Sequence, residues 1–399
     1  MNDVNVFKNI TVLSLEQATV LPYLTLRLAE DGANVIRMEH PVYGDPNRRV
    51  GDNVLNEDRM FSYYLSINAG KKALTLDLGV PEGQKILKEL ILKLKVDIFA
   101  TNQLPRNYPK LGIEYEMLKK IKEDIIWLGM TGFGPQSNEA AYDPVLQARG
   151  GLMELTGEKG ESPQVMGIPL PDMGASEHGY GLLMKALFKR AVTSQGSRID
   201  LSMFESTVSW LTQAITHTVT FKKKVSRRGN THEFFSPVSV YETKDGYAYI
   251  AVGNDKQWET MTKIPGFESL YKKEYERNAG RIANVENLNN AINAITKKFA
   301  TQELIDIFNK ATIAISKVNT IEEVVRDPLV KPNLIRSKDS KTGVEITVAP
   351  SPCTTPFLKS VNQVLSFPPR FGEHNEEIFS GLLGYSGAQL KEFKEKNII

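Results

Sequence analysis

In the stretch MGIPLPDMGASEHGYGLLMKALFKR, Met166–Arg190, one aspartate precedes a helical pattern whose first turns are built of small residues. That aspartate is Asp172, and the small residues are Gly174, Ala175 and Gly179. One reading is structural. An aspartate just ahead of a helix caps it, accepting a backbone N–H and complementing the helix dipole. The other is chemical. A glycine-lined helix start lets a bulky group approach the backbone. Free N–H groups there can serve as an oxyanion hole and can hold a neighbouring carboxylate ionised, with a lowered pKa. An ionised, accessible carboxylate is a competent covalent nucleophile. Spacing alone leaves both readings open.

Other chemistries find less in the sequence. Gly132-Phe133-Gly134 follows a strand pattern, but Pro135 and Ser137 come where a dinucleotide fingerprint needs its third glycine. Gly70 is followed by Lys71-Lys72 without the Ser or Thr of a phosphate-binding loop. No Gly-x-Ser-x-Gly occurs, so a nucleophile elbow is absent. The histidines are His40, His178, His217, His232 and His374. No two lie four residues apart, which excludes a helical two-histidine metal pair, and no metal site is expected.

The elements that must position Asp172 follow from periodicity. Ile10–Leu15, Asn34–Glu39, Lys72–Leu78, Val96–Asn102 and Ile125–Gly132 read as strands. Between them run helical patterns, one closed by Gly32 and one opened by Pro81. This alternation predicts an α/β fold with a parallel, Rossmann-like sheet covered by helices. After a short strand running into a helix near residue 200, the composition turns basic and polar. Two β-rich runs then flank Lys244-Asp245-Gly246, a hairpin signal. Helical patterns follow at 284–300 and 301–311, and strand–turn chemistry at 337–352. The expected domains are a large one beginning at 1–200, a linker at 201–224, a smaller α+β domain at 225–328, and a segment at 329–399 returning to the first.

Bulk properties bound the class. A chain of 399 residues favours two domains, and an apolar fraction of 41% supplies ample core. With 49 Lys and Arg against 47 Asp and Glu, the net charge of +2 carries no footprint for nucleic acid or a membrane surface. Cys353 is the only cysteine, which excludes an internal disulfide. No signal peptide or membrane span is read, and a cytoplasmic protein is expected.

The chain resembles the family III CoA-transferases, the group that includes formyl-CoA transferase and carnitine CoA-transferase. The likeness rests on eight segments in the family's order. They include VLSLEQATVLPYLTLRLAEDGANVIRMEHPVYGDPNR, INAGKKALTLDLGVPEG, TNQLPRNYPKLGIEYE, YDPVLQARGGLMELTG and GIPLPDMGA. The resemblance places the family's nucleophilic aspartate on Asp172. It implies attack of Asp172 on an acyl-CoA thioester to give a mixed anhydride, then an aspartyl-CoA thioester, then transfer of CoA to a second carboxylic acid. CoA is then a substrate, and no permanently bound cofactor is expected. The family's CoA contacts fall on Ala18, Val20, His40, Leu76, Asn102, Gln103, Lys110, Leu111, Ala140 and Met203. His40 stands where formyl-CoA transferase has arginine, and Gly79 and Ala140 where it has lysines. The phosphates would therefore be held in part by Arg37, Lys71, Lys72 or Arg106. The family's glycine-rich active-site loop matches Val252–Trp258, with Gly253 and Asn254 at its start. Racemases acting on 2-methylacyl-CoA share the fold, but carry a catalytic His-Asp where this chain has Tyr142-Asp143. Racemase-like chemistry and a non-catalytic CoA-binding role are the alternatives. The resemblance also implies a homodimer of two interlocked rings.

Overall fold

The computed structural model describes residues 5–399 and divides the chain into two compact units. The first comprises the chain up to Gly151, Met166–Phe221 and Pro328–Ile399; the second comprises Leu152–Val165 and Lys222–Asp327.

The first unit is built on a six-stranded sheet of β1 (Thr11–Leu15), β2 (Asn34–Glu39), β3 (Lys72–Thr75), β4 (Ile98–Thr101), β5 (Ile126–Thr131) and β6 (Ser197–Ser202). Its order is β3-β2-β1-β4-β5-β6, and every neighbouring pair is parallel. The central strands are continuous apolar runs because both faces are covered. Successive residues alternate between two cores. Leu13, Ile36, Leu74, Phe99 and Trp127 face one side, under helix α2 (Pro81–Lys93). The C-terminal residues Phe379, Leu390 and Phe393 close this side as well, so the chain's last segment is part of the first unit. Val12, Val35, Ile98, Ala100, Ile126 and Leu128 face the other side. There they meet α1 (Val20–Glu30) and, after α3 (Tyr115–Ile121) and α4 (Asp143–Arg149), the 24-residue α5 (Leu170–Thr193). Helix α6 (Met203–Ser209) leaves β6 with the Ser202 hydroxyl as its cap.

Pro81 opens α2, as its fixed φ and missing N–H favour. Gly32, at φ +86°, lets the chain turn back after α1. In the second unit, β7 (Val238–Glu242) and β8 (Tyr247–Ala251) form the hairpin expected around Lys244-Asp245-Gly246, and β9 (Ala314–Lys317) joins it antiparallel. The second unit has its own core, including Trp258, Phe267, Leu288, Ile292, Leu304 and Phe308. In the returning segment, β10 (Ile335–Lys338) and β11 (Glu345–Val348) pair as an antiparallel hairpin.

Candidate active site

In a sheet of this order the connections from β1 and β4 leave toward opposite faces. A crevice opens between them at the strands' carboxyl ends, where open α/β sheets bind ligands. The candidate CoA contacts of the first unit gather along that edge. Ala18 and Val20 follow β1, His40 follows β2, and Leu76 follows β3. Asn102 and Gln103 follow β4, with Lys110 and Leu111 a few residues on. Ala140 lies in the loop after β5, and Met203 follows β6. They differ in accessibility. Leu76, Val20 and Met203 are core residues, and Leu111 packs partly buried against the core. Lys110 and Ala140 are exposed.

Asp172 reaches the same edge because α5 precedes β6 and runs antiparallel to it. The helix begins two residues before Asp172, with Pro169 as its cap residue and Pro171 in its first turn. Asp172 is therefore a first-turn residue and not the cap. Its side chain accepts no hydrogen bond from any described residue. The N–H groups expected to be free are also taken. Leu170 N–H donates to the Ile168 carbonyl at 2.8 Å, Pro171 has none, and Met173 N–H donates to the Pro169 carbonyl at 3.0 Å. The Asp172 N–H itself donates to Asp143 Oδ2 at 3.2 Å. The expected oxyanion hole at this helix start is thus absent, and so is the expected lowering of the Asp172 pKa. Burial instead pushes the half-buried carboxyl up, reinforced by the Asp143 carboxylate, to about 7.

The small residues of α5 also do something other than admit a ligand. A Cβ on Gly179 would lie 2.6 Å from Leu24 Cδ1, and one on Gly174 would lie 3.3 Å from the Trp210 ring. Ala175 is fully buried in the core beside α1. Their size lets α5 pack closely on its neighbours. Ser176 fixes the result: its hydroxyl lies 2.5 Å from the Val20 carbonyl oxygen and 2.8 Å from that of Asp172. The first turn of α5 and the start of α1 are thereby tied together.

Two residues that position Asp172 were not singled out for that role from sequence. Asp143 is buried at the start of α4, and its Oδ1 accepts from Gln147 Nε2 at 2.5 Å. Gln147 Oε1 in turn accepts the Met166 N–H at 2.9 Å. The signal available in sequence was an Asp and a Gln four residues apart on one helix face. That pattern is ordinary on exposed helices. Tyr142, where the racemases carry histidine, is 74% exposed.

Of the four basic residues offered for the phosphates, two are excluded by burial. Arg37 is wholly buried and pairs with Asp45 at 2.7 Å. Lys71 is buried against Glu16, the Asn68 side chain and the Pro22 carbonyl, and burial lowers its pKa to about 8 despite Glu16. These cations neutralise buried carboxylates, and removing them would leave those charges unpaired. Lys72 is partly exposed and pairs with Glu377. Arg106 and Lys110 are exposed, with no side-chain partner among the described residues. His40 Nδ1 accepts the Val42 N–H at 3.1 Å, and its ring lies 4.6 Å from that of the exposed Tyr43.

In the second unit, the Val252–Trp258 segment is mostly helical. Asn254 caps the Asp255–Met261 helix by accepting the Gln257 N–H at 2.9 Å, and Trp258 is buried. Gly253 N–H donates to Gln257 Oε1 at 2.8 Å. Val252, Gly253 and Asn254 remain as loop.

Residues 7–375 match the model of CoA-transferase family III. The chain belongs to that family. A human protein named succinyl-CoA:glutarate CoA-transferase is 28% identical over 404 residues, covering 100% of this chain and 91% of its own length. An Acetobacter aceti protein named acetyl-CoA:oxalate CoA-transferase is 29% identical, covering 81% of this chain and 83% of its own. Among solved structures, a CaiB/BaiF family protein from Brucella suis superposes with a TM-score of 0.80 at 28% identity. That match covers 94% of this chain and 98% of the other. This family III CoA-transferase is an enzyme acting on CoA thioesters, and no helix among its described residues is long and apolar enough to cross a membrane.

Proposed function

We propose that the enzyme transfers CoA from an acyl-CoA donor to a free carboxylic acid through covalent intermediates on Asp172. The observation that carries this reading is the placement of Asp172. A half-buried carboxyl with no hydrogen bond from the described residues stands in the first turn of α5, tied through Ser176 to the start of α1. Such a group is poorly solvated as an anion, which makes it more nucleophilic.

The ionised Asp172 oxygen attacks the thioester carbonyl. The C–S bond breaks, CoA thiolate leaves, and an acyl–aspartyl anhydride remains. Thiolate attack on the aspartyl carbonyl then releases the donor carboxylate and gives an aspartyl-CoA thioester. The acceptor carboxylate displaces the thiolate from it, forming a second anhydride. Thiolate attack on the acceptor's acyl carbon completes transfer and regenerates the Asp172 carboxylate. One thioester replaces another of similar energy, so no nucleotide is consumed. CoA is held at the carboxyl edge of the sheet, with Lys110 and Arg106 as exposed cations for its phosphates. The relatives named for glutarate and oxalate support a small carboxylic acid as acceptor. We also read the chain as a homodimer. Ile215 and Val219 are exposed on the Thr212–Val219 helix, which buries none of its own residues, and Trp210 and Phe221 are exposed just outside its two ends.

The test is trapping. The enzyme is incubated with succinyl-CoA, then treated with hydroxylamine or borohydride and mapped by mass spectrometry. Modification is expected at Asp172 and at no other carboxylate. Asp172→Ala should remain folded and lose transfer by several orders of magnitude. A variant keeping more than about a tenth of the rate would refute the nucleophile assignment.

A further inference from the structure

The turn after β1 is held from several directions at once. Ala18 adopts φ +60°, a left-handed conformation that disfavours a side chain bearing Cβ. A residue stays there only when its surroundings over-determine it. Asn102, just past the end of β4, meets the Gln17 peptide with both ends of its amide: Oδ1 accepts the Gln17 N–H at 3.1 Å and Nδ2 donates to the Gln17 carbonyl at 2.8 Å. Asp45 Oδ1 accepts the Ala18 N–H at 3.0 Å. Asn47 Nδ2 donates to the Ala18 carbonyl at 2.8 Å, while the Asn47 N–H is held by the same Asp45 oxygen at 2.9 Å. Glu16 is buried against Lys71, Ser14 and Thr25, and the Thr19 hydroxyl meets Tyr63 Oη at 2.9 Å.

Resting on the CoA-transfer reading above, we propose that Asn102, Asn47 and Asp45 are positioning residues. They lock Gln17–Ala18 in a left-handed turn so that the start of α1 faces the CoA thioester in a shape fixed before the ligand arrives.

Three observations converge on this. The clamp spans the crevice between β1 and β4, where the sheet's order places a ligand. Gln17 and Ala18 are half-buried, so the turn opens to solvent instead of closing over a core. Both peptide groups of the turn are consumed by the clamp. The Thr19 and Val20 N–H groups, at the open end of α1, donate to no described residue. Asn102 spends one amide N–H and one oxygen lone pair on Gln17, so it acts on the ligand through that turn. A polar clamp on a half-buried turn adds little apolar burial. Its consequence is a rigid approach surface, which lowers the ordering cost of binding.

The experiment separates this from a purely structural role. KM and kcat are measured with succinyl-CoA for the full-length wild type, Asn47→Ala, Asn102→Ala and Ala18→Gly, and for each alanine variant combined with Ala18→Gly. Melting temperatures are read in parallel. Asp45 is left intact because Arg37 depends on its charge. Each alanine variant should raise KM for the CoA ester about tenfold or more, beyond any change in kcat. Because glycine takes the left-handed conformation freely, Ala18→Gly should recover at least threefold of the KM lost in the Asn47→Ala background. A fall in melting temperature with KM unchanged would overturn the proposal. So would a glycine double variant that binds no better than Asn47→Ala. A wild type that neither transfers nor binds CoA would overturn the CoA-transfer reading itself, a result visible before any variant is compared.

Discussion

Replacing Asp143 by asparagine tests whether the pair Asp143–Asp172 sets the protonation of the proposed nucleophile. The asparagine carbonyl still accepts the Asp172 N–H, now 3.2 Å from Asp143 Oδ2. The second acceptor, used by Gln147, is lost, at about 1 kcal/mol of stability. What disappears is the negative charge that, after burial, is the other cause holding Asp172 at about 7. Removing the lesser cause lowers the Asp172 pKa by roughly one unit and leaves the burial contribution in place. Attack requires the anion. With a pKa of about 7, roughly a tenth of Asp172 is ionised at pH 6; with a pKa of about 6, half is. In Asp143→Asn, kcat/KM for succinyl-CoA should rise about fivefold at pH 6 and stay unchanged at pH 8.5. The rising limb moves to lower pH. The assay is transfer at limiting succinyl-CoA across pH 5–9, which reports the free enzyme. A wild-type limb near pH 4, or a limb that does not move in the variant, would refute the reasoning. The same shift has a stability consequence of defined sign. Between about pH 4 and 7 the folded protein holds a proton on Asp172 that the unfolded chain has lost, so wild-type stability falls as pH rises. Asp172→Asn removes that loss. It should melt higher than wild type at pH 8, by an amount on the order of 2 kcal/mol after allowing for partial exposure, and match it near pH 4.

Lys110→Ala should raise KM for CoA esters several-fold with kcat nearly constant and flatten the salt dependence of binding; a kcat loss at unchanged KM would remove Lys110 from the phosphate site. Incubated in heavy water with a 2-methylacyl-CoA, the enzyme should leave the α-carbon without deuterium, because Tyr142 replaces the histidine that racemisation uses. Mass spectrometry of the recovered thioester checks this, and exchange as fast as transfer would favour the racemase chemistry. Gly179→Ala should cost about 1–3 kcal/mol in denaturant unfolding despite alanine's better helix propensity, since its Cβ would meet Leu24 at 2.6 Å. A neutral result would show that α1 and α5 separate freely.

The alternation of strands and helices was legible in the chain, because both are local periodicities. The buried runs around Phe99 and Trp127, the Pro81 helix start and the hairpin at Asp245-Gly246 each follow from residues adjacent in the chain. The sequence also singled out Asp172 and brought the family into view through ordered motifs. What surrounds them is set by the fold. Arg37 and Lys71 read as candidate phosphate-binding cations in one dimension, yet their partners Asp45 and Glu16 come from other segments and draw them into the interior. Asp172 was expected to be held ionised by free N–H groups. A helix start two residues earlier, a proline at its cap and another in its first turn, and Asp143 arriving from 29 residues away reverse the sign of its pKa shift. Ala18 shows the same limit: nothing in its neighbours announces a left-handed residue, because Asp45 and Asn47 reach it from 27 and 29 residues away and Asn102 reaches the adjoining Gln17 from 85. Desolvation, like-charge repulsion and imposed backbone strain all depend on groups distant in sequence, so they exist only once the chain has folded.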